Sequence, residues 1–394
     1  MTLSDHPVFV ILLAAVAAPL LGELPVGRRV PIVVMEVMLG IVVGPHVMGL
    51  IQADAFVSTM ASIGVAALLF MAGMEIDFGA IRGRPLSLAV RGWLTTVLTG
   101  FLAIVGLHVI PGVKAPLMAT IALTTTGLGT LLPILRDGRQ LDSPFGRMLI
   151  AAGTLGEVGP IVAVSLALST RYSTWQEFVF LAAFLGLVAL AAAVGMGARP
   201  PAILALLKRT MHASSQLPVR LALLMLAAMF VLSEGMGFEG ILGAFAAGMV
   251  VGLATRGKDG ELFRIKIDAV CFGWFTPFFF VGTGVTFDLA ALTRDVETML
   301  LVPSFLLLFL LTRGITAVLY RGDFPGLQLP FALYSSVASL GLTVVITRIG
   351  VHAYGMNPDI AQALIAAALL SSLVFPTLAG AMLSRASSHT TTLK

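Results

Sequence analysis

The sequence predicts an all-α polytopic membrane protein of about 13 transmembrane helices, and three observations lead there. Of its 394 residues, 58% are hydrophobic and only 11% charged, where a soluble domain carries about 25% charge; the mean hydropathy is +1.01. Apolar runs long enough to cross ~30 Å of hydrocarbon recur along the whole chain. The basic residues between those runs alternate between dense and sparse loops, as membrane topology requires. The 41 glycines and 18 methionines suit helices packed closely in lipid, where small residues let backbones approach.

The runs fall at 7 to 24, 30 to 51, 56 to 76, 85 to 110, 115 to 135, 148 to 169, 176 to 198, 217 to 236, 238 to 254, 266 to 288, 297 to 320, 328 to 349 and 358 to 384. The first follows MTLSDHP, which lacks the basic start of a cleaved leader. The weakest separations lie between Glu234 and Glu239 and around Pro277. Loops after odd-numbered runs, with the tail, hold 18 of the 24 Lys and Arg residues, among them Arg28, Arg82, Arg136 and Arg199; the other side has Lys114, Arg171, Arg294 and Arg348. By the positive-inside rule the amino terminus is expected outside and the carboxyl terminus in the cytoplasm of a cell-membrane protein. Residues 1–384 read as one transmembrane domain and 385–394 as a short cytoplasmic tail. The isoelectric point near 9.5 does not signal nucleic acid, because the basic residues are spread over loops rather than clustered. A single cysteine, Cys271, excludes an internal disulfide framework.

Two segments, TTTGLGTLLPILRDG (124 to 138) and SVASLGLTVVITRIG (336 to 350), align without gaps at an offset of 212, matching Leu128 with Leu340, Gly129 with Gly341, Ile134 with Ile346, Arg136 with Arg348 and Gly138 with Gly350. One run ends on the basic side and the other on the sparse side, so the pair reads as an inverted repeat. Each match begins in a polar, helix-weakening cluster: Thr124, Thr125, Thr126, Gly127 and Gly129 in the first, Ser335, Ser336, Ser339 and Gly341 in the second. Taken singly, such residues are ordinary packing residues of membrane helices. Paired by inversion, they favour interrupted helices whose freed backbone groups line an ion cavity.

Within the runs the ionisable candidates are Glu36, Glu75, Arg91, Glu157, Glu234, Asp268 and Arg313. Glu75, Glu234 and Asp268 sit near run ends, within reach of the interface, and Arg91 can snorkel. Glu36, one to two turns in, stays undecided. Glu157 lies near the middle of AAGTLGEVGPIVAV, with Gly156 and Gly159 beside it and Pro160 three residues on. A mid-membrane carboxylate costs ~2.5 to 3.5 kcal/mol on insertion scales, so something must offset it. The small neighbours and the helix breaker are expected to leave room for water and an ion, and a carboxylate so placed holds either a proton or a cation. Structural pairing with Arg313 is the plain alternative. Arg313 itself is mid-run and permanently charged, which makes it a fixed counter-charge rather than a proton carrier.

Four stretches, VPIVVMEVMLGIVVGPHVMGLI (30 to 51), IGVAALLFMAGMEIDF (63 to 78), LSEGMGFEGILGAFAAGMVVGL (232 to 253) and PFFFVGTGVTFDL (277 to 289), resemble in order the signatures of the Kef-type monovalent cation:proton antiporter-2 family. The resemblance implies the fold of sodium/proton antiporters: thirteen helices, a dimerisation domain, and a core domain, here including 115–169 and 297–349, in which two crossed discontinuous helices meet beside the ion-binding carboxylate. It implies that Thr124, Thr125 and Thr126 match the family's Ser-Ser-Thr before the break, that Glu157 falls at the ion-binding acid, and that Arg313 stands where many members place Lys. It also implies an elevator motion and a homodimer. Two departures matter: Gly156 replaces the usual Asn, Gln or Asp, and the acid is Glu rather than Asp. With no second acid and no Lys, an electroneutral exchange of one cation for one proton is expected. The regulatory nucleotide-binding domain of potassium-efflux members is not expected in this chain.

The leading expectation is therefore a secondary antiporter of Na⁺ or K⁺ against protons, active in pH homeostasis, with the lipid bilayer as its surroundings and no cofactor. A channel-like potassium efflux pathway, gated by a separate regulatory chain, is the alternative. An organic-anion carrier is disfavoured by the acidic centre. An intramembrane enzyme is disfavoured because no His or Asp pair shares the depth of Glu157.

Overall fold

The computed structural model describes residues 6–24, 30–76, 83–110, 112–128, 130–131, 135, 140–141, 143–168, 186, 210–211, 213–255, 260–292, 294 and 296–391. Among them the chain is helical, with no strand. In order, the longer helices are α1 (Pro7–Gly22), α2 (Ile32–Val43), α3 (Ala55–Glu75), α4 (Arg84–Phe101, prolonged by a wide turn over Leu102–Gly106), α5 (Pro116–Leu123) and α6 (Pro144–Leu168). They continue with α7 (Leu217–Gly235), α8 (Gly240–Ala254), α9 (Glu261–Val285), α10 (Val296–Gly314, tightening over Ile315–Tyr320), α11 (Gln328–Ser335), α12 (Leu340–Tyr354) and α13 (Pro358–Thr391).

Local chemistry sets the ends. Pro at the first turn opens α1, α4, α5 and α7, where its missing N–H is no loss. Asp54 caps α3 by accepting from the Val57 N–H at 2.8 Å, a contact worth ~1 kcal/mol in typical helices. The weak separation at 234 to 239 is a tight turn between α7 and α8, made by Gly237 at φ 87°, a conformation a side chain disfavours.

Seven helices are long and apolar enough to span a membrane: Ala55–Glu75, Arg84–Gly106, Pro144–Ala167, Leu217–Gly235, Glu261–Val285, Val296–Tyr320 and Pro358–Leu383. The pair α11 and α12, bent by 48° at their break, makes an eighth. Thirteen spans is thus more than the described residues show. The shortfall has physical causes. α1, α2 and α8 have only 16, 12 and 15 residues, and 12 residues rise only about 18 Å. The run at 115 to 135 is helical as α5 for eight residues and then interrupted, and the run at 176 to 198 lies outside the described residues except Gly186. Gly129, Ile134, Arg136 and Gly138 of the repeat also lie outside them.

The chain divides into two compact units. One comprises Ala53–Ile76 and Ile161–Gly282. Within it α3 packs on α8, and α8 on α7, at distances only glycine allows: a Cβ at Gly73 would stand 2.2 Å from the Phe245 carbonyl oxygen, and one at Gly243 2.0 Å from that of Met229. The other unit comprises Met1–Gln52, Asp77–Pro160 and Thr283–Lys394. In it α12 packs on α5 and α13, and α10 on α4, α11 and α13. Phe145, Tyr320, Phe324, Phe331 and Tyr334 form an aromatic group, with Phe145 edge-on to Phe324 at 5.3 Å and to Phe331 at 5.9 Å.

Candidate ion site at two helix breaks

α5 and α11 are the same element twice. Each has eight residues, and both bounds are displaced by 212 (116 to 328, 123 to 335), the offset at which the two sequences align. Their closing residues have nearly identical backbones, Thr124 at φ −88°, ψ −3° and Ser336 at φ −86°, ψ −1°. After each break the helix resumes at a leucine, Leu128 and Leu340.

The hydroxyls explain why the chain stops there. Thr124 and Thr125 donate from Oγ1 to the carbonyls of Ile121 and Ala122 at 2.7 and 2.9 Å. Ser335 and Ser336 both donate from Oγ to that of Ala332, at 3.1 and 2.6 Å. Side chains of this kind compete with the helix ladder and take up carbonyls at its end. Four of the expected ion-lining hydroxyls, those of Thr124, Thr125, Ser335 and Ser336, thus spend their hydrogens on their own helix, leaving their oxygen lone pairs as acceptors. Ser339, half-buried, opens α12 without a side-chain cap.

The two breaks touch. Gly127 donates its N–H to the Val337 carbonyl at 2.9 Å, and a Cβ on Gly127 would stand 2.9 Å from the Ala338 oxygen. Thr126 Oγ1 reaches the Ser335 carbonyl at 3.4 Å, and Thr125 Oγ1 lies 3.3 Å from Thr343 Oγ1. Ser371 on α13, which the sequence did not single out, accepts from the Ala338 N–H at 3.0 Å. No local pattern marks it, because its partner is 33 residues away.

Glu157 and Arg313 meet this crossing from opposite signs of charge. Glu157, 6% exposed, accepts on Oε1 from the Leu128 N–H at 3.1 Å, so its carboxylate sits at the amino end of the resumed helix, where the backbone favours negative charge. Arg313, 5% exposed, donates from Nε to the Ser335 carbonyl at 2.6 Å and from Nη1 to the Thr124 carbonyl. One guanidinium therefore bridges the carbonyl ends of α5 and α11, where two helix dipoles leave partial negative charge. Its Nη2 lies against the backbone of Gly156, 2.9 Å from where a Cβ would be.

Two expectations about this neighbourhood change. α6 does not break at Pro160 but runs through it to Leu168. The glycines beside Glu157 leave no free space either: Gly156 faces Thr126 and Arg313, and a Cβ at Gly159 would stand 2.2 Å from the Trp93 ring. Small residues here serve close packing, not solvent. Of the remaining charges, Glu36 is buried on α2, while Glu75, Arg91 and Glu234 are exposed and Asp268 half-buried.

A buried acid at the crossing of two interrupted helices, with a buried guanidinium on their carbonyl ends, is an arrangement suited to moving small cations and protons. The family model described as sodium/hydrogen exchanger, transmembrane, matches residues 9–385.

The chain belongs to the sodium/hydrogen exchanger family.

The chain is similar to the putative Na⁺/H⁺ antiporter YjbQ of Bacillus subtilis, with 24% identity over 88% of the chain and 58% of the relative. It is also similar to the Na⁺/H⁺-K⁺ antiporter GerN of Bacillus cereus, with 26% identity over 71% of the chain and 72% of the relative, and to the Na⁺/H⁺ antiporter of Enterococcus hirae, with 23% identity over 89% and 92%. The chain thus spans less than two thirds of the length of the first of these. Among solved structures, the sodium proton antiporter MjNhaP1 of Methanocaldococcus jannaschii superposes with a TM-score of 0.63 at 19% identity, covering 94% of this chain and 96% of that one. The chain shares that fold.

Proposed function

We propose that this exchanger is a secondary-active antiporter of Na⁺ or K⁺ against protons, with Glu157 holding either a proton or a cation, never both. The observation that carries the reading is the position of Glu157: a buried carboxylate on the Leu128 amide, within the crossing of two breaks related by one 212-residue offset. The relatives' names, each an Na⁺/H⁺ antiporter, support the cation and proton substrates.

In this reading the oxygens of Thr124, Thr125, Thr126, Gly127, Ser335, Ser336 and Ser339 line the path of the cation, and Arg313 stays charged throughout as a counter-charge. With one acid and no lysine at the site, one cation moves per proton, without net charge. The elements from 115–169 and 297–349 form the moving core of a thirteen-helix, inverted-repeat domain that travels against a dimerising scaffold. The four motifs favour a Kef-type place within the family, and the basic loops favour an outside amino terminus in the cell membrane.

The test is dye-monitored proton release from proteoliposomes on adding Na⁺, K⁺ or Li⁺, with wild type and Glu157→Gln side by side. Exchange in the first and none in the second is expected. Cation flux that follows membrane potential without proton movement would instead support the channel reading.

A further inference from the structure

α6 contains an opening in its hydrogen-bond ladder that is put to use. Pro160 has no N–H, so the carbonyl four residues earlier, that of Gly156, has no partner inside the helix. Within a membrane such a group must be satisfied by a neighbour. The neighbour is the first break: the Thr126 N–H donates to the Gly156 oxygen at 2.9 Å. The carbonyl is reachable because residue 156 lacks a side chain, since a Cβ there would stand 2.3 Å from Thr126 Oγ1 and 2.5 Å from Thr126 Cβ. Two residues further along the break, Leu128 gives its N–H to Glu157 Oε1 at 3.1 Å. Its side chain lies on Gly153, 2.9 Å from where a Cβ would be. Gly153, Gly156, Glu157 and Pro160 follow the i, i+3, i+4, i+7 spacing of one helix face, and all four are buried.

We propose that Gly156 and Pro160 act together as positioning residues: one bares a helix carbonyl to approach, the other frees it of its helical donor, and the Thr126 peptide docked there sets the Leu128 amide on the Glu157 carboxylate. This deepens the exchanger reading and rests on it for its transport readout. A proline kept only for helix packing makes a different forecast, because replacing it with alanine inside a helix removes a defect and nothing else.

The test is Pro160→Ala, which returns a competing N–H to the Gly156 carbonyl, with Gly156→Ala as the second variant. Both are compared with wild type in lipid nanodiscs by thermal melting and by hydrogen exchange of the 124–131 segment, and in proteoliposomes by cation affinity. The expected result for Pro160→Ala is a melting point at or above that of wild type together with roughly tenfold faster amide exchange at 124–131, the scale of one lost hydrogen bond. A several-fold shift in the cation concentration for half-maximal exchange should accompany it, with the maximal rate retained. Wild-type protection of 124–131 in Pro160→Ala overturns the proposal, and so does lost protection with an unchanged cation affinity. Should Gly156→Ala fail to fold, Pro160→Ala still decides. Absence of exchange in the wild type would sink the antiporter reading separately, while the protection of 124–131 in Pro160→Ala still decides the docking.

Discussion

The Leu128 amide lies 3.1 Å from Oε1 of Glu157, so the backbone of the first break holds the carboxylate. That contact fixes how far the acid can reach. Glu157→Asp, one methylene shorter, cannot keep the contact without moving α6 towards the break, a move that Gly153 and Gly156 already leave no room for. Exchange by Glu157→Asp should persist at a rate about 10 to 100-fold lower, the scale of a displacement near 1 Å, as read from initial rates in proteoliposomes.

Arg313 bridges two carbonyls, and its planar fork matters as much as its charge. Arg313→Lys keeps the charge but has a single nitrogen to share between the Thr124 and Ser335 oxygens. Arg313→Ala leaves both buried oxygens without this donor, at ~1 to 3 kcal/mol each. Melting in detergent should therefore rank wild type above Arg313→Lys and Arg313→Ala lowest.

Ser371 and Ser372 are neighbours on α13 with different duties. Ser371 accepts the buried Ala338 amide of the second break, whereas Ser372 donates to Ala368 of its own helix. Ser371→Ala should cost ~1 to 3 kcal/mol by stranding that amide, and Ser372→Ala less than about 1. Equal losses of melting temperature for the two would contradict this division.

Glycine substitutions separate close packing from open surface. A Cβ at Gly159 meets the Trp93 ring at 2.2 Å, while one at Gly235 meets nothing within 4 Å. Gly159→Ala should destabilise by ~1 to 3 kcal/mol through overpacking, and Gly235→Ala should leave melting unchanged or raise it slightly.

Much of this site is legible in the sequence, for identifiable reasons. The 212-residue offset announces itself because both breaks use hydroxyl residues to end an eight-residue helix and a leucine to restart it. Glu157 and Arg313 stand out because ionised groups are rare and costly in apolar runs. Ser371 does not, since its role exists only once α13 packs against the second break. The helix breaker at Pro160 misleads, because a proline in a membrane helix is accommodated when a neighbour takes over the freed carbonyl, and that neighbour, Thr126, is 30 residues earlier. Gly156 misleads in the same way: a missing side chain looks like room for an ion until the tertiary structure fills it with Thr126 and Arg313.

The central claim is that one carboxylate serves proton and cation in turn, and counting protons tests it most directly. Titrating the purified protein with Na⁺ or K⁺ in a weakly buffered solution near its working pH should release up to one proton per cation bound, with none released by Glu157→Gln. Cation binding that releases no proton in the wild type, or an undiminished release from Glu157→Gln, would contradict the account.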